Sequence, residues 1–132
     1  QISFATQEPF LFPGTVLDNL TFGGLASEEA AMHALDEMGI AYLAEREISV
    51  NKDNLSVGEK QRISLSRAIL KNTPIVFLDE PSNHLDSDSV RIIMDFIRCS
   101  ARTVVYISHS EQMTKLATRV IRLKKNDQSG IT

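Results

Sequence analysis

Residues 55–86 read LSVGEKQRISLSRAILKNTPIVFLDEPSNHLD, and this stretch decides the fold. Ser56 followed three residues later by Glu59 is a capping box, in which the hydroxyl accepts from the N–H of Glu59 and the carboxylate reaches back to Ser56. The helix that begins there is predicted to run over residues 57–71, because the Asn-Thr-Pro sequence at 72–74 stops it. A helix of that length spans about 22 Å.

The segment that follows is an apolar run that ends in two carboxylates. Residues 75–78, which read IVFL, suit a strand that is buried on both faces of a parallel sheet, and Asp79 and Glu80 stand at its carboxyl end. The helix N-terminus at Ser56 can bind an anion such as phosphate. The acidic pair at the end of the strand also indicates phosphate chemistry. We expect them at opposite ends of one rod, and therefore in a site that two copies of the chain build together.

The rest of the chain alternates between strand and helix patterns, which predicts an α/β fold. Residues 75–107 are predicted as a strand–helix–strand unit with parallel strands. Residues 48–54 are predicted to be irregular, and Ile131-Thr132 after a turn over 126–130 is predicted to begin a further strand. The other predicted elements are strands at 2–5, 103–107 and 119–123 and helices capped by Thr15, Ser27, Asp86 or Ser87, and Ser110.

Composition limits the functional classes. The chain has 132 residues, a formal net charge of −3 and one cysteine, Cys99. A negative net charge gives no indication of nucleic-acid binding. A single cysteine excludes an internal disulfide, which fits a reducing compartment. No run approaches the roughly 18 apolar residues of a membrane span. Because the chain starts with Gln1 inside a predicted strand, we expect it to be a piece of a longer protein.

Polar side chains follow three of the predicted strands: Gln7, the Asp79-Glu80 pair, and Ser108-His109. In open α/β sheets, ligands bind beyond the carboxyl ends of the strands, so these residues are predicted to form one site. Asp79 can hold Mg²⁺ directly or through water, and Glu80 can orient or deprotonate an attacking water. His109 can donate to a phosphate oxygen as charge develops, and the Gln7 amide can reach the metal or the water.

Each of these residues also has a structural interpretation. The acidic pair can cap a helix in a turn, and Gln7 can cap a strand end. Asp86 can act across a subunit boundary or only cap the helix after it. The basic residues of the helix at 57–71 can aid phosphate binding, but a solvated helix face is the favoured interpretation for them; they are Lys60, Arg62, Arg67 and Lys71.

Taken in order, these motifs resemble those of the ABC-type ATPase family. LSVGE at 55–59 resembles the signature motif LSGGQ, IVFLDE at 75–80 the Walker B strand, and SNHLD at 82–86 the D-loop. Gln7 resembles the Q-loop glutamine, and His109 resembles the switch histidine. The order and spacing of all these motifs match over residues 7–109.

The resemblance implies part of a RecA-like P-loop NTPase core with an inserted helical subdomain. It divides the chain into a core strand with the Q-loop at 1–8, a helical subdomain with the signature helix at 9–72, and the C-terminal part of the core at 73–132. ATP and Mg²⁺ are the implied cofactors. The implied roles are catalytic for Glu80 and His109, metal-binding for Asp79 and Gln7, and nucleotide-binding for Gln7, Ser56, Val57, Gly58, Glu59 and Asp86.

The sequence departs from the family pattern in two ways. Val57 replaces a glycine, and Glu59 replaces a glutamine, which brings a carboxylate near a polyphosphate unless Glu59 turns back into its capping box. The phosphate-gripping pattern G-x-x-x-x-G-K-[ST] does not occur in the sequence. We therefore expect the chain by itself to be inactive as an ATP hydrolase.

The segment QEPFLFPGTVLDNL at 7–20 resembles the Q-loop region of exporters. The resemblance therefore implies a nucleotide-binding domain of an ABC transporter at the cytoplasmic face of a membrane. Its implied partners are a second nucleotide-binding domain, packed head to tail, and the coupling helices of a transmembrane domain, with no nucleic acid. The alternatives are a soluble ABC-type ATPase that acts on ribosomes or DNA, towards which SNHLD and LSVGE lean, and a catalytically inert fragment.

Overall fold

The computed structural model describes residues 1–49 and 54–123. Its elements alternate between strands and helices, and two short 3-10 turns lie at Phe22–Gly24 and Ala41–Leu43. In chain order they are β1 (Ile2–Ala5), β2 (Gly14–Thr15), α1 (Val16–Thr21), α2 (Glu28–Glu37), β3 (Glu47–Ile48), α3 (Val57–Leu70), β4 (Ile75–Asp79), α4 (Ser87–Cys99), β5 (Thr103–Ile107) and α5 (Glu111–Leu116).

A three-stranded parallel sheet in the order β1-β4-β5 organises the fold. Ala5 of β1 lies beside Leu78 of β4, which lies beside Tyr106 of β5. The three strands therefore end at the same edge of the sheet. The unit β4-α4-β5 has the predicted parallel strands joined by a helix, and the α/β fold class is confirmed.

Helix α3 has the predicted capping. Ser56 is its N-cap and forms the capping box with Glu59, so the start of the helix matches the sequence prediction. The helix ends at Leu70, with Lys71 as C-cap, and Asn72 follows at φ +48°. Asparagine tolerates this left-handed conformation better than most residues, which makes it a suitable helix terminator. The chain then reverses into β4.

This reversal overturns the expectation that Ser56 and the acidic pair lie at opposite ends of one rod. The hydroxyl of Ser3 donates to the carbonyl of Ala68, and the N–H of Thr6 donates to the hydroxyl of Ser64. Helix α3 therefore runs antiparallel to β1, and also to β4. Its N-terminus extends beyond the carboxyl ends of the strands, about 10 Å past Ser64.

Helices cover one face of the sheet. Alternate strand residues point into a common core, and Val76 of β4 is fully buried there. Helix α4 contributes Ile93 and Phe96, and the hydroxyl of Tyr106 donates to the carbonyl of Met113 in α5 at 2.9 Å. The same core continues into α1 and α2 through Leu20 and Leu35, among others.

The apolar run of β4 suits burial on both faces of a sheet, but for this chain by itself we expect residues 75–78 to lie partly unburied, and the structure agrees with that expectation. The opposite face of the sheet is open: Phe4 of β1 is 64% exposed and stacks on Phe77 of β4, with ring centroids 5.4 Å apart. Val105 and Ile107 of β5 are exposed on the same face. An unbroken apolar run thus indicated a buried strand but could not indicate which elements cover each face.

The segment between β1 and α3 is mostly helical and carries a small second sheet. Strands β2 and β3 pair antiparallel, with Gly14 beside Ile48. The prediction of irregular structure over 48–54 is therefore wrong at Ile48, and residues 50–53 lie outside the described part. A two-residue strand has too little sequence for an alternating pattern. The helix predicted after Thr15 and the helix predicted after Ser27 are both present, each capped as expected.

The predicted strand at 119–123 is absent, and these residues are irregular and exposed. A strand needs a neighbour for its N–H and C=O groups, and within the described residues β5 pairs with β4 alone. The turn predicted at 126–130 and the strand predicted from Ile131 lie outside the described residues. Over 1–49 and 54–123, no helix combines the length and the hydrophobicity that crossing a membrane requires.

Candidate active site

The three polar strand ends meet at one edge of the sheet, as the sequence predicted. Asp79 is the last residue of β4 and lies beside Ile107, the last residue of β5. Gln7 follows β1 by two residues, and His109 follows β5 by two. We call Gln7, Asp79, Glu80 and His109 the strand-end cluster.

Glu80 and His109 are in direct contact. The carboxylate Oε1 lies 3.2 Å from the ring Nε2 of His109, whose side chain is 92% exposed. The backbone N–H of Glu80 donates to the carbonyl of Ile107 at 3.0 Å, which extends the β4–β5 ladder by one bond. A carboxylate beside an imidazole can take a proton from water, while the imidazole presents a donor to an anion.

Glu80 also has an unusual backbone. Its φ is +45°, in the left-handed region, where a side chain costs on the order of 1 kcal/mol. The N–H of Asn83 donates to the Glu80 carbonyl at 3.0 Å, so the chain turns sharply after β4. This turn directs the Glu80 side chain to His109 instead of continuing the strand.

Gln7 is held by the loop that follows β4. Its amide nitrogen donates to the carbonyl of Asn83 at 3.3 Å, which leaves the amide oxygen able to accept or to coordinate. Asp79 is exposed at the end of its strand. The structure thus places an amide oxygen and two carboxylates around the carboxyl end of β4.

This donor set fits Mg²⁺. Magnesium prefers oxygen ligands and is usually held by one or two carboxylates together with waters and substrate phosphates. Asp79 and Gln7 offer such oxygens. Among the described residues, no three His, Cys, Asp or Glu side chains form a group able to hold a metal by themselves. Magnesium held by only a few protein oxygens keeps coordination positions for waters and for phosphate oxygens.

The second candidate region is the first turn of α3, residues 56–59, which we call the signature turn. Glu59 accepts from the backbone N–H of Ser56 at 2.7 Å, and the Ser56 hydroxyl accepts from the N–H of Glu59 at 3.1 Å. Glu59 thus turns back into the capping box, as its departure from the family pattern required. The N–H groups of Val57 and Gly58 belong to the first turn, where a helix leaves its donors without intrahelical partners.

Gly58 is buried in a close contact with the loop after β4. A Cβ on Gly58 would lie 2.9 Å from the hydroxyl of Ser89 and 3.5 Å from Leu85. Glycine at this position thus allows the start of α3 to approach the start of α4. The same contact places the signature turn beside the residues that follow Glu80.

Asp86 caps α4. Its carboxylate accepts from the backbone N–H of Ser89 and from the Ser89 hydroxyl, each at 2.9 Å. The hydrogen bond from the Ser89 N–H, followed by that from the hydroxyl, lowers the pKa of Asp86 from its ordinary value of 3.8. The capping contact, one of the two interpretations of Asp86, is thus present in the structure.

The prediction of a solvated face for the basic residues of α3 is wrong for two of the four. Arg62 is buried and donates to the carbonyls of Gly58 and Met38, each at 3.3 Å. Arg67 donates to the carbonyls of Phe10, at 2.6 Å, and Asn19, at 3.1 Å. Burial lowers the pKa of Arg67 below its ordinary value. Both guanidinium groups therefore bond to backbone carbonyls and stabilise the segment between Gln7 and α3.

Sequence reasoning missed one residue beside the signature turn. The hydroxyl of Tyr42 donates to Oε1 of Glu59 at 3.1 Å. Tyr42 lies in the 3-10 turn Ala41–Leu43, seventeen positions before Glu59. Because no local spacing links the two residues, only the packing of this turn against α3 reveals the contact.

Comparison with known proteins identifies the family. A sequence profile described as ABC transporter matches residues 1–83, which is more than half of the chain. The chain belongs to the ABC transporter family. The family resemblance is therefore confirmed, and family membership implies that the domain binds ATP.

Three relatives illustrate the match, and each of them is longer than this chain. An uncharacterized ABC transporter ATP-binding protein of Mycobacterium tuberculosis is 36% identical over 118 residues, which cover 83% of the chain and 47% of that protein. The lactococcin-A transport/processing ATP-binding protein of Lactococcus lactis is 31% identical, over 91% of the chain and 18% of that protein. Antigen peptide transporter 2 of Mus musculus is 29% identical, over 95% of the chain and 19% of that protein. The chain thus spans about half of the first relative and about a fifth of the other two.

Proposed function

We propose that this chain forms the part of an ABC nucleotide-binding domain that carries the catalytic carboxylate and the signature helix. In a full-length protein it couples ATP binding and hydrolysis to export across a membrane. The observation that carries this proposal is the contact of 3.2 Å between Glu80 and His109 at the carboxyl edge of a parallel sheet. The division into a core at 1–8 and 73–132 and a helical subdomain at 9–72 belongs to the same proposal.

The strand-end cluster supplies the chemistry. Asp79 and the amide oxygen of Gln7 would hold Mg²⁺, and the ion would neutralise phosphate charge there. Glu80 orients the attacking water and accepts its proton, and His109 donates to a phosphate oxygen on which charge develops. The contact between Glu80 and His109 keeps both groups at the same point of the strand edge.

The signature turn supplies the second half-site. The hydroxyl of Ser56 and the N–H groups of Val57 and Gly58 bind the terminal phosphate of ATP held by another copy, and Glu59 stays in the capping box. Asp86 caps α4, and on this proposal it also acts across the boundary with the partner.

The same edge of the domain therefore presents two unlike half-sites, the strand-end cluster and the signature turn. When two copies associate about a two-fold axis, each half-site of one copy meets the other half-site of its partner. This symmetry supports a head-to-tail dimer of nucleotide-binding domains, even though both half-sites lie on the same side of one molecule.

Export is the direction implied by the exporter-like segment at 7–20, and two of the relatives are named for transport. One relative is described as a transport/processing protein for lactococcin-A, and another as an antigen peptide transporter. On this proposal the domain lies at the cytoplasmic face of a membrane and contacts the coupling helices of a transmembrane domain near Gln7. The alternatives of a soluble ATPase and of an inert fragment receive no support from these relatives.

Glu80→Gln in a full-length protein that contains this chain tests the proposed chemistry. ATP binding should remain, and hydrolysis should fall by at least about 10²-fold, the usual contribution of a positioned base. Glu111→Gln is a matched control, because Glu111 is exposed and pairs with Lys115 on α5. A Glu80→Gln protein that keeps more than half of its turnover removes Glu80 from the mechanism.

The chain by itself is expected not to hydrolyse ATP and to bind Mg-ATP with a Kd above about 1 mM. Its acidic strand ends repel a polyphosphate, and the signature turn offers only a few N–H groups. Calorimetric titration of the chain with Mg-ATP measures this affinity. Micromolar binding by a monomer would reveal a phosphate site elsewhere in these residues.

A further inference from the structure

The carboxylate of Glu59 is held at both of its oxygens. Oε2 accepts from the backbone N–H of Ser56 at 2.7 Å, and Oε1 accepts from the hydroxyl of Tyr42 at 3.1 Å. The first contact lies within the signature turn. The second comes from a separate element, the 3-10 turn Ala41–Leu43.

We propose that Tyr42 is a positioning residue of the signature turn, whose hydroxyl keeps the Glu59 carboxylate in the capping box and away from the phosphate of the partner's ATP. This inference deepens the proposed function and rests on it. It gives a physical reason why a glutamate can stand where the family pattern has a glutamine.

The capping box alone leaves the carboxylate only partly restrained. A single hydrogen bond to Ser56 holds Oε2, and rotation about the terminal torsion of a glutamate is broad. A second donor at Oε1 fixes the plane of the carboxylate and offsets part of its charge. With both oxygens engaged, the charge is directed towards Tyr42 and Ser56, and the N–H groups of Val57 and Gly58 are left for an anion.

The position and the protonation state of Tyr42 both suit this role. Its neighbour Leu43 is fully buried in the core, so the backbone of the turn is anchored, while Tyr42 itself is 66% exposed. Burial, and then the hydrogen bond to Glu59, raise the pKa of Tyr42, so the hydroxyl keeps its proton at neutral pH and remains a donor. Because little of the ring is buried, loss of the hydroxyl should leave the fold intact.

The test compares Tyr42→Phe with wild type in a full-length protein that contains this chain. The apparent KM for Mg-ATP should rise about threefold to tenfold with kcat changed less than about twofold, the pattern of a lost binding interaction. Tyr106→Phe is the matched control: it removes a hydroxyl that contacts Met113, and it should leave KM unchanged. The melting temperatures of Tyr42→Phe and wild type should agree.

The decisive variant is the double mutant Tyr42→Phe/Glu59→Gln. If Tyr42 acts through the Glu59 carboxylate, the Glu59→Gln substitution leaves no charge to restrain, and the Tyr42 hydroxyl is no longer needed. The KM of the double mutant should then return to within about twofold of wild type. A KM defect that persists in the double mutant overturns the proposal, as does a wild-type KM in Tyr42→Phe. Either result would leave the proposed function unaffected, because the proposed function is tested separately by the ATPase activity of Glu80→Gln.

A binding measurement gives a second readout that does not depend on turnover. In the Glu80→Gln background, sedimentation measures the ATP concentration that drives two copies together. Adding Tyr42→Phe should raise that concentration about threefold or more, and adding Tyr106→Phe should not. Equal ATP requirements for the two additions contradict a role for Tyr42 at the signature turn.

Discussion

The strand-end cluster and the signature turn are built in opposite ways. The cluster joins residues that follow three different strands, from Gln7 to His109. Glu80 and His109 lie 3.2 Å apart, and Gln7 is held by a 3.3 Å hydrogen bond to the carbonyl of Asn83 in the loop after β4. The signature turn holds its carboxylate within four consecutive residues, with a contact of 2.7 Å between the N–H of Ser56 and Glu59. One region depends on the register of a sheet, and the other on a single turn of helix with one further contact from Tyr42.

This difference predicts how each region responds to change. A capping box forms whenever its helix forms, because its partners are three residues apart. The strand-end cluster exists only while β1, β4 and β5 keep their register, since a shift of one residue turns each side chain to the other face. Substitutions should therefore affect catalysis most at the cluster, and should have small, local effects at the signature turn.

The largest effect is expected for His109→Ala in a full-length protein. Removing a donor aimed at developing charge should lower ATP hydrolysis by about 10²-fold with little change in stability, because the side chain is exposed. Steady-state ATPase assays and thermal unfolding measure the two quantities. His33→Ala, on the exposed side of α2, is the control. Equal turnover in both variants would place His109 outside the reaction.

Arg67→Leu tests the connection between the two regions. Arg67 ties α3 to the segment after Gln7 through Phe10 and Asn19, so its loss should lower the free energy of unfolding by about 2 to 3 kcal/mol. Chemical denaturation measures this value. Lys71→Leu, on the same helix but exposed, should stay within about 0.5 kcal/mol of wild type. Similar losses for both variants would refute a specific role for Arg67.

Gly58→Ala tests the contact between the signature turn and α4. The added Cβ meets the Ser89 hydroxyl at 2.9 Å, so we expect a loss of about 1 kcal/mol in unfolding free energy despite the better helix propensity of alanine. In a Ser89→Ala background the same substitution should cost less, because the crowded atom is gone. A double-mutant cycle with no coupling would contradict the close approach.

Glu59→Gln tests the local character of the signature turn. Glutamine can also complete a capping box, so the loss of stability should be at most about 1 kcal/mol and the ATPase of a full-length protein should change little. Chemical denaturation and ATPase assays provide the comparison. A large loss of activity at unchanged stability would mean that the Glu59 carboxylate acts on the nucleotide directly.

The smallest effect is expected for Asp86→Asn. Asparagine caps helices as well as aspartate does, so stability at neutral pH should be nearly unchanged. The folded-state pKa of Asp86 lies below 3.8, so the stabilisation by its charged form is present above that value and is lost as pH falls through the lowered pKa. The variant should therefore lose less stability than wild type below about pH 4 in thermal unfolding.

Asp18 offers a check on that prediction, because its hydrogen bonds to Thr15 lower its pKa in the same way. Asp18→Asn should therefore also lose less stability than wild type as the pH falls below about 4. Superimposable curves for wild type and both variants would show that neither cap contributes through its charge.

Much of the site could be predicted because its signals are local. The apolar run of β4 followed by Asp79 and Glu80, and the spacing of Ser56 and Glu59, each lie within a few residues and determine what the backbone does there. The meeting of three polar strand ends followed from a general rule of parallel sheets. The same kind of reasoning failed at 119–123, where an alternating pattern has no neighbouring strand to pair with.

What remained hidden depends on how elements pack. Nothing in the pattern of α3 distinguishes the arginines that bond to distant carbonyls from the exposed Lys71, because polarity does not reveal which way a long side chain folds. The contact of Tyr42 with Glu59 joins two elements that the sequence leaves unrelated. Likewise, an apolar strand does not say which of its faces another element covers.

The sequence by itself determined the secondary structure around the site, the capping box of α3 and the chemistry-bearing residue types, since hydrophobic periodicity and turn chemistry act over short distances. Only the tertiary structure decided the direction of α3 along the sheet. The reversal at Asn72 brings the signature turn to the same side as the strand-end cluster, where Gly58 contacts the start of α4. The direction of α3 follows from the way α3, β1 and β4 pack together to bury a common core. That burial depends on all of these elements at once, so no local pattern of sequence reveals it.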